Sequence, residues 1–280
     1  MARTLPAVLT RVLGSRPHSK TVASSQVNMP TIKAQVASLL AIPADRAEQL
    51  IVAAETLYIG KMKERFSSLR INDRLKRTNP FLLRIRGLST VREWAAMQVQ
   101  TALFASEEEA VGHLLEAIAK ICHPNAADPK LPDDFDYEVV NGGEVVGYQV
   151  KMSWDCMPMS SRKNLSNTIR QVRAAYERQG KNFTGVFASC YGRAKTSKQP
   201  GQEYVSLASR EFWTRVGNGN ANYDAQVGNV CALLCSEFRK EIQQKLVPDL
   251  VNKLAAEAEQ SIGDGSGNLD YQKLFRRINP

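Results

Sequence analysis

Apolar and polar residues alternate with the period of an α-helix through the first part of the chain. Val36, Leu39 and Leu40 form one apolar face, and AEQLIVAAETLYIGKMKERF continues the helical pattern after Pro43. Proline is disfavoured inside a helix, so Pro43 marks a boundary. The pattern predicts two consecutive helices, of which the second is longer.

Proline and capping residues mark the helix boundaries further along. Pro80 breaks any helix at its position, and Ser89 or Thr90 can cap a new helix over STVREWAAMQVQTALF. Ser106, followed by acidic residues that suit the first turn of a helix, is predicted to cap a separate helix that ends near Cys122. We therefore expect two successive helices in this region.

The period changes to two residues within DYEVVNGGEVVGYQVK, residues 136–151. Two β-rich runs flank Asn-Gly-Gly-Glu, a tight-turn sequence, which predicts a β-hairpin. A helix over about residues 160–179, the strands TGVFASCYG and EYVSLAS, and closing helices complete an α/β pattern. We divide the chain into a mainly helical part, residues 29–105, and a core with C-terminal helices, residues 106–280.

Charge favours an anionic partner. The chain has 280 residues with 37 Lys and Arg against 28 Asp and Glu, a formal net charge of +9, and nucleic acid is the commonest partner of such proteins. Residues 1–28 contain no acidic residue and precede a second methionine, so we expect a flexible basic tail, with a targeting segment as the alternative.

Cysteine usage and hydropathy indicate the compartment. The 5 cysteines are scattered and form no zinc-binding pattern, which fits a reducing cytoplasm. No apolar run reaches the roughly 20 residues of a membrane span. We expect a soluble cytoplasmic protein.

The predicted hairpin gathers a candidate catalytic group. Gln149 and Lys151 are two residues apart, so they project from the same face of a strand, and the hairpin can bring Asp136 beside them. This set suits metal-assisted phosphodiester cleavage, with a carboxylate as Mg²⁺ ligand and a lysine near the phosphate. Asp133 and Asp134 are alternatives to Asp136.

A neutral glutamine leaves this group one negative charge short of a set with two carboxylates. An amide oxygen can ligate Mg²⁺, but we expect another carboxylate to compensate. The candidate is Glu116, on the helix before the hairpin, and Glu109 is the second choice.

Basic and amide side chains that follow the hairpin are candidates for DNA contact. Their helix starts near Ser160, where side chains can reach phosphates or base edges, and the polar loop after the next strand suits phosphates. A solvated helix and a mobile surface loop are the alternative interpretations. The candidates are Arg162, Lys163 and Asn167 on the helix, and Arg193, Lys195 and Lys198 in the loop.

Tryptophan and histidine have simpler expected roles. At least two of Trp94, Trp154 and Trp213 are expected in the core or an interface. His113 and His123 are ten residues apart on or near one helix, which argues against a shared metal ion.

Five stretches resemble a known nuclease family: INDRLKRTNPFL, GHLLEAIAKI, DYEVVNGGEVVGYQVK, REFWTRVGNGNANY and DGSGNLDYQKLFRRINP. They come in the same order as in the type II restriction endonucleases whose founding member cuts RGGNCCY. The resemblance implies a restriction-endonuclease-like core, a central mixed sheet flanked by helices, with a helical dimerisation part. It also implies a Mg²⁺-dependent homodimer that cuts double-stranded DNA at a partly palindromic GGNCC-type site.

Individual roles follow from the same resemblance. Asp136 takes the position of the metal-binding aspartate and Lys151 that of the catalytic lysine. Gln149 stands where many of these enzymes have a carboxylate, and Glu116 matches an acidic position on the preceding helix approximately. The resemblance further implies a prokaryotic cytoplasmic enzyme and a DNA methyltransferase that protects the same site.

Two other functions remain open on sequence alone. The same fold and metal chemistry could serve a structure-specific repair or junction nuclease. A DNA-binding protein whose nuclease site has decayed is the third interpretation, with Gln149 as the mark of decay.

Overall fold

The computed structural model describes residues 29–131, 135–198 and 200–279. The predicted basic tail, residues 1–28, and the alternative metal ligands Asp133 and Asp134 lie outside these ranges.

Helices make up most of the described chain. Two π-helical segments, Ala54–Gly60 and Ile242–Leu246, continue α-helices without a break. The α-helices are α1 (Met29–Leu40), α2 (Ala44–Ala53), α3 (Lys61–Ser68), α4 (Ile71–Lys76), α5 (Pro80–Ile85), α6 (Val91–Cys122), α7 (Met159–Glu177), α8 (Ser209–Val216), α9 (Tyr223–Leu234), α10 (Ser236–Glu241), α11 (Val247–Ile262) and α12 (Tyr271–Ile278).

The two proline boundaries are confirmed. Pro43 is the N-cap of α2, and α2, the first π-helical segment and α3 together form the predicted longer helix. Pro80 is the first residue of α5, where its missing N–H is not needed, and the Asn79 side chain caps this helix by accepting from the Leu82 amide.

A mixed β-sheet of five strands forms the centre of the described core. Its strand order is β1-β2-β3-β4-β5; β1, β2 and β3 are antiparallel neighbours, whereas β3, β4 and β5 run parallel. The expected α/β fold with a mixed central sheet is therefore confirmed. The strands are β1 (Ala126–Ala127), β2 (Tyr137–Asn141), β3 (Glu144–Lys151), β4 (Asn182–Ser189) and β5 (Tyr204–Leu207).

The predicted hairpin joins β2 to β3. Asn141 pairs with Glu144 across a two-residue turn, and Gly142 has a φ of 61°, a conformation that glycine adopts without steric cost. At the open end of the hairpin, Tyr137 pairs with Tyr148. The register brings the start of β2 beside the end of β3.

Each face of the sheet packs on helices. On one face Tyr148 and Val150 join a core that includes Leu114 and Ile118 of α6. On the other face Val145 and its neighbours pack against α7. Side chains alternate between the faces of a strand, so Gln149 and Lys151 point away from the first core.

One continuous helix, α6, replaces the two helices predicted between Thr90 and Cys122. Thr90 caps it with a capping box: its Oγ1 accepts from the Glu93 amide at 3.1 Å and its own amide donates to Glu93 Oε2 at 3.0 Å. The predicted start at Ser106 is wrong, because its hydroxyl donates to the Ala102 carbonyl within the helix at 2.8 Å. Serine bonded in this way to the preceding turn is compatible with a helix interior.

The two halves of α6 enter different cores. Its first half, with Trp94 and Ala95, packs with Leu250 and Leu254 of α11, and its second half lies on the sheet. The proposed division after residue 105 falls inside this helix. Asp270 caps α12, where its side chain accepts from the amides of Gln272 and Lys273.

Candidate active site

Asp136 is fixed by the backbone of the neighbouring strand. It lies one residue before the Tyr137–Tyr148 pair, so the register places it opposite Gln149. Its amide donates to the Tyr148 carbonyl at 2.8 Å, and its Oδ2 accepts from the Val150 amide at 2.6 Å. The carboxylate is therefore held at the end of β3.

Lys151 lies between two carboxylates. Its Nζ is 3.4 Å from Glu116 Oε1 and 3.8 Å from Asp136 Oδ2, and it also donates to the Val150 carbonyl at 2.8 Å. Glu116 comes from α6, Asp136 from the start of β2 and Lys151 from the end of β3. The structure thus brings these three candidates together, and Glu116, not Glu109, contacts the lysine.

The carboxyl group of Asp136 titrates above its usual range. Burial raises its pKa most, and Glu116 raises it further, whereas the Lys151 ammonium and the Val150 amide act in the opposite direction. A second positive charge placed beside this carboxyl would lower its pKa, because it favours the ionised form.

Gln149 supplies an oxygen that lacks a protein partner. Its Oε1 is buried without a hydrogen bond, and buried polar atoms are normally satisfied. Two carboxylates and one amide oxygen form a donor set of the kind that Mg²⁺ prefers, so the residues present fit this ion. Among the described residues, no three His, Cys, Asp or Glu side chains form a metal-binding group. A cation here would take further oxygen ligands, such as Gln149, a backbone carbonyl or water.

Comparison with known proteins identifies the family. The family model described as type II restriction endonuclease EcoO109I matches residues 47–230, more than half of the chain. The chain belongs to this family. It is accordingly a type II restriction endonuclease, a site-specific deoxyribonuclease. No curated protein matches the chain.

The match includes the whole candidate site of the endonuclease. It begins within α2, ends within α9, and so contains Glu116, Asp136, Gln149 and Lys151. In the parts of the chain that the structure describes, no helix has the length and apolar character needed to cross a membrane.

The sequence prediction overlooked one neighbour of this site. His113 Nδ1 lies 3.4 Å from Glu116 Oε2, one helical turn earlier on α6. The spacing of three residues was the available signal, because such positions are neighbours on a helix surface. His123, in contrast, is buried at the end of α6 with its Nδ1 3.0 Å from the Tyr137 hydroxyl.

The α7 side chains that were predicted to contact DNA differ in their exposure and hydrogen bonding. Lys163 and Asn167 are exposed, and Asn167 Oδ1 accepts from Arg170 at 2.9 Å. The Arg162 guanidinium is engaged with the loop that precedes α7, where it donates to the carbonyls of Met157 and Trp154. Lys163 is thus the basic side chain of this trio that points to solvent.

The second predicted DNA-binding segment lies beside β5. Arg193, Lys195 and Lys198 are all exposed. Ser197 forms a β-bridge with Ser206 of β5, so the loop follows the edge of the sheet. The three cations therefore project from a segment that is tied to the core at this bridge.

Proposed function

We propose that this endonuclease cuts both strands of DNA at a partly palindromic GGNCC-type site in a Mg²⁺-dependent reaction. Asp136, Glu116 and Gln149 would hold the metal ion, and Lys151 is the proposed catalytic lysine. The observation that carries the proposal is the Lys151 ammonium, which lies 3.4 Å from Glu116 Oε1 and 3.8 Å from Asp136 Oδ2.

The metal ion, the lysine and the aspartate would have different roles in the reaction. Bound Mg²⁺ would supply Lewis-acid stabilisation of the phosphate and lower the pKa of an attacking water molecule. The Lys151 ammonium has three donors, of which the Val150 carbonyl and Glu116 occupy two in the structure, so the third can bind a phosphate oxygen or orient water. Asp136, whose Oδ2 lies 3.8 Å from the ammonium, helps to hold this lysine in place.

DNA contacts are assigned to exposed basic and amide side chains on α7 and in the loop between β4 and β5. We assign phosphate contacts to Lys163, Arg193, Lys195 and Lys198, and a base-edge or phosphate contact to Asn167. Their exposure and the net charge of +9 support this assignment. A homodimer would match the symmetry of the site. The enzyme would act in the prokaryotic cytoplasm, with a methyltransferase that protects host DNA.

The test is digestion of unmethylated phage DNA by purified protein, with Mg²⁺ or with EDTA. Wild type is expected to give discrete bands only with Mg²⁺, and Lys151→Ala is expected to lower the cutting rate by at least about a hundredfold, as for loss of a charge-stabilising donor. Lys33→Ala is the matched control, because Lys33 also pairs with a carboxylate, Glu48, but lies on α1. The control should cut normally.

Other outcomes identify the alternative functions. Nicking of branched substrates without discrete fragments from linear DNA would indicate a structure-specific nuclease. DNA binding without any cutting would indicate a decayed site, and Gln149→Glu would then be the first restoration to make. Unchanged cutting by Lys151→Ala would remove the proposed role of this lysine.

A further inference from the structure

The loop that leaves the candidate site is compact. It runs from Met152 to Pro158, directly after Lys151, and contains a 3₁₀ turn at Trp154–Cys156. Ser153 Oγ donates to Asp155, and the Cys156 amide donates to the Ser153 carbonyl at 3.3 Å. This segment is called the 152–158 loop below. Its geometry is set by local contacts and by its attachment to α7.

Arg162 ties the 152–158 loop to α7. Its Nε donates to the Met157 carbonyl at 3.1 Å and its Nη2 donates to the Trp154 carbonyl. The guanidinium carbon also lies 4.5 Å from the centre of the Trp154 ring and 5.9 Å from that of Phe187. Phe187 pairs with Gln149 in the sheet, so these contacts connect the loop to the strand beside the active site.

Trp154 is the exception among the three tryptophans. Its residue surface is 50% exposed, whereas Trp94 and Trp213 are 0% and 2% exposed. Two tryptophans are therefore core residues, as the sequence predicted. The indole of Trp154 is held on one side by a cation and is open to solvent elsewhere, which is an arrangement suited to contact with a ligand.

Other exposed apolar side chains lie on segments that adjoin the 152–158 loop. Tyr191 and Met159 are also large and exposed, and the Tyr191 amide donates to the Met152 carbonyl at 2.9 Å. Lys151 and the exposed Lys163 flank Trp154 and Met159 in sequence. Exposed apolar side chains close to cations in the sequence fit a polyanion that also offers sugar and base surfaces, as DNA does.

The chain itself limits how far the Cα atom of Trp154 can lie from the Cα atom of the proposed catalytic lysine. Trp154 comes three positions after Lys151, and an extended chain spans at most about 3.6 Å per residue, or about 11 Å in total between these Cα atoms. That length equals roughly three base-pair steps of 3.4 Å along one DNA strand.

We propose that Trp154 contacts the sugars or bases of the cut strand within about three base pairs of the scissile phosphate. Arg162 is the positioning residue that presents the indole, and its effect on DNA binding passes through Trp154. This inference rests on the proposed function, because it assigns a part of the same DNA complex. It gives Arg162 a different role from the direct DNA contact that the sequence suggested.

Equilibrium binding tests the contact. The probe is a fluorescein-labelled duplex that carries the cut site found by sequencing digestion ends, and EDTA prevents cutting. Trp154→Ala is expected to weaken binding about tenfold, the size of an aromatic contact with a nucleotide, whereas Trp154→Phe should stay within about threefold of wild type. Trp154 is exposed, so its replacement leaves the cores intact.

A double-mutant cycle tests the role of Arg162. Arg162→Ala should weaken binding in the wild-type background and have no further effect in the Trp154→Ala background. The salt dependence of binding should keep its slope, because a positioning residue neutralises no phosphate. Arg178→Ala is the matched control: it removes a guanidinium from the other end of α7, about 24 Å away, and should bind normally.

Tryptophan fluorescence gives an independent readout. Trp154 is the exposed tryptophan of the described chain, so added duplex should change the emission of wild type and of Arg178→Ala but not that of Trp154→Phe. Arg162→Ala should increase quenching by acrylamide, because the ring loses its cover. Arg162→Lys keeps a cation near the ring, so its quenching by acrylamide should lie between that of wild type and that of Arg162→Ala.

The outcomes distinguish failure of the proposed function from failure of the inference about Trp154. Wild type that neither binds nor cuts DNA overturns the proposed function and this inference with it. Normal cutting by wild type together with normal binding by Trp154→Ala overturns the inference alone. The Arg162→Ala and Trp154→Ala replacements could instead weaken binding additively, and Arg162→Ala could lower the slope of log affinity against log salt concentration by about one. This result would mean that Arg162 contacts phosphate directly.

Discussion

His123 lies at the end of α6, where two tyrosine rings enclose its imidazole. Its ring centroid is 5.6 Å from that of Tyr137 and 5.0 Å from that of Tyr148. Burial lowers its pKa to about 4, and Arg215 adds to this effect. The folded protein therefore keeps His123 neutral at pH values where an exposed histidine becomes charged.

This shift makes stability depend on pH. In the unfolded chain His123 has a pKa of about 6.5, so between pH 6.5 and about 4 the unfolded state binds a proton that the folded state does not. The folded state loses roughly 2 to 3 kcal/mol relative to the unfolded state as the pH falls from 7 to 4.5. His123→Gln should show a correspondingly flatter pH dependence of its unfolding free energy in urea.

His113→Gln provides the control for this experiment. His113 is exposed on the same helix, and its replacement should leave the pH dependence of unfolding close to that of wild type. Equal slopes for wild type and His123→Gln would contradict the expectation.

At the residue scale, the sequence located the candidate site but not its supporting contacts. Asp136 and Lys151 could be placed together because a hairpin has a fixed register. Glu116 was predicted because Gln149 is neutral, so a second carboxylate was expected near the metal site. The contacts of Arg162 with Trp154 and Met157 could not be predicted, because they depend on the path of an irregular loop. The strand and helix periods carry no information about such a path.

At the scale of elements, the strands were predicted better than the helix boundaries. The turn Asn141 to Glu144 contains glycine at the position that needs a positive φ, so local chemistry alone identified the hairpin. Ser106 looked like an N-cap, but packing on both sides keeps α6 continuous through it. Tertiary contacts thus outweighed a local signal.

Continuity of α6 predicts a severe effect of an insertion. One alanine inserted after Ser106 would turn the second half of the helix by about 100° and move it by about 1.5 Å, so one of the two cores would lose its apolar face. We expect a lower melting temperature and loss of DNA cutting. The measurements are thermal unfolding and plasmid digestion.

Ser106→Ala is the control for the insertion, because it keeps the helix in register and alanine favours helix. It should unfold and cut like wild type. If the insertion were tolerated, as insertions in surface loops are, the junction would behave as two separate helices.

At the scale of the whole molecule, α6 connects the core around the sheet, which also includes α1 and α2, with the core around α11. The proposed homodimer predicts a particle mass near twice the 31.1 kDa of one chain, measurable by light scattering. A dimer on a palindromic site cuts both strands in one encounter, so supercoiled plasmid should become linear with little nicked circle. A mass of one chain at all concentrations, with nicked circle as the main product, would contradict the dimer.

The length of α6 has a mechanical consequence for catalysis. Glu116 lies 25 residues after Val91, which is about 38 Å along the helix axis. A tilt of only about 5° at the far end would therefore displace the Glu116 carboxylate by about 3 Å, comparable with its 3.4 Å separation from Lys151. Leu114 and Ile118, which flank Glu116 and pack in the core of the sheet, must therefore hold this end of the helix if the carboxylate is to stay aligned with Lys151.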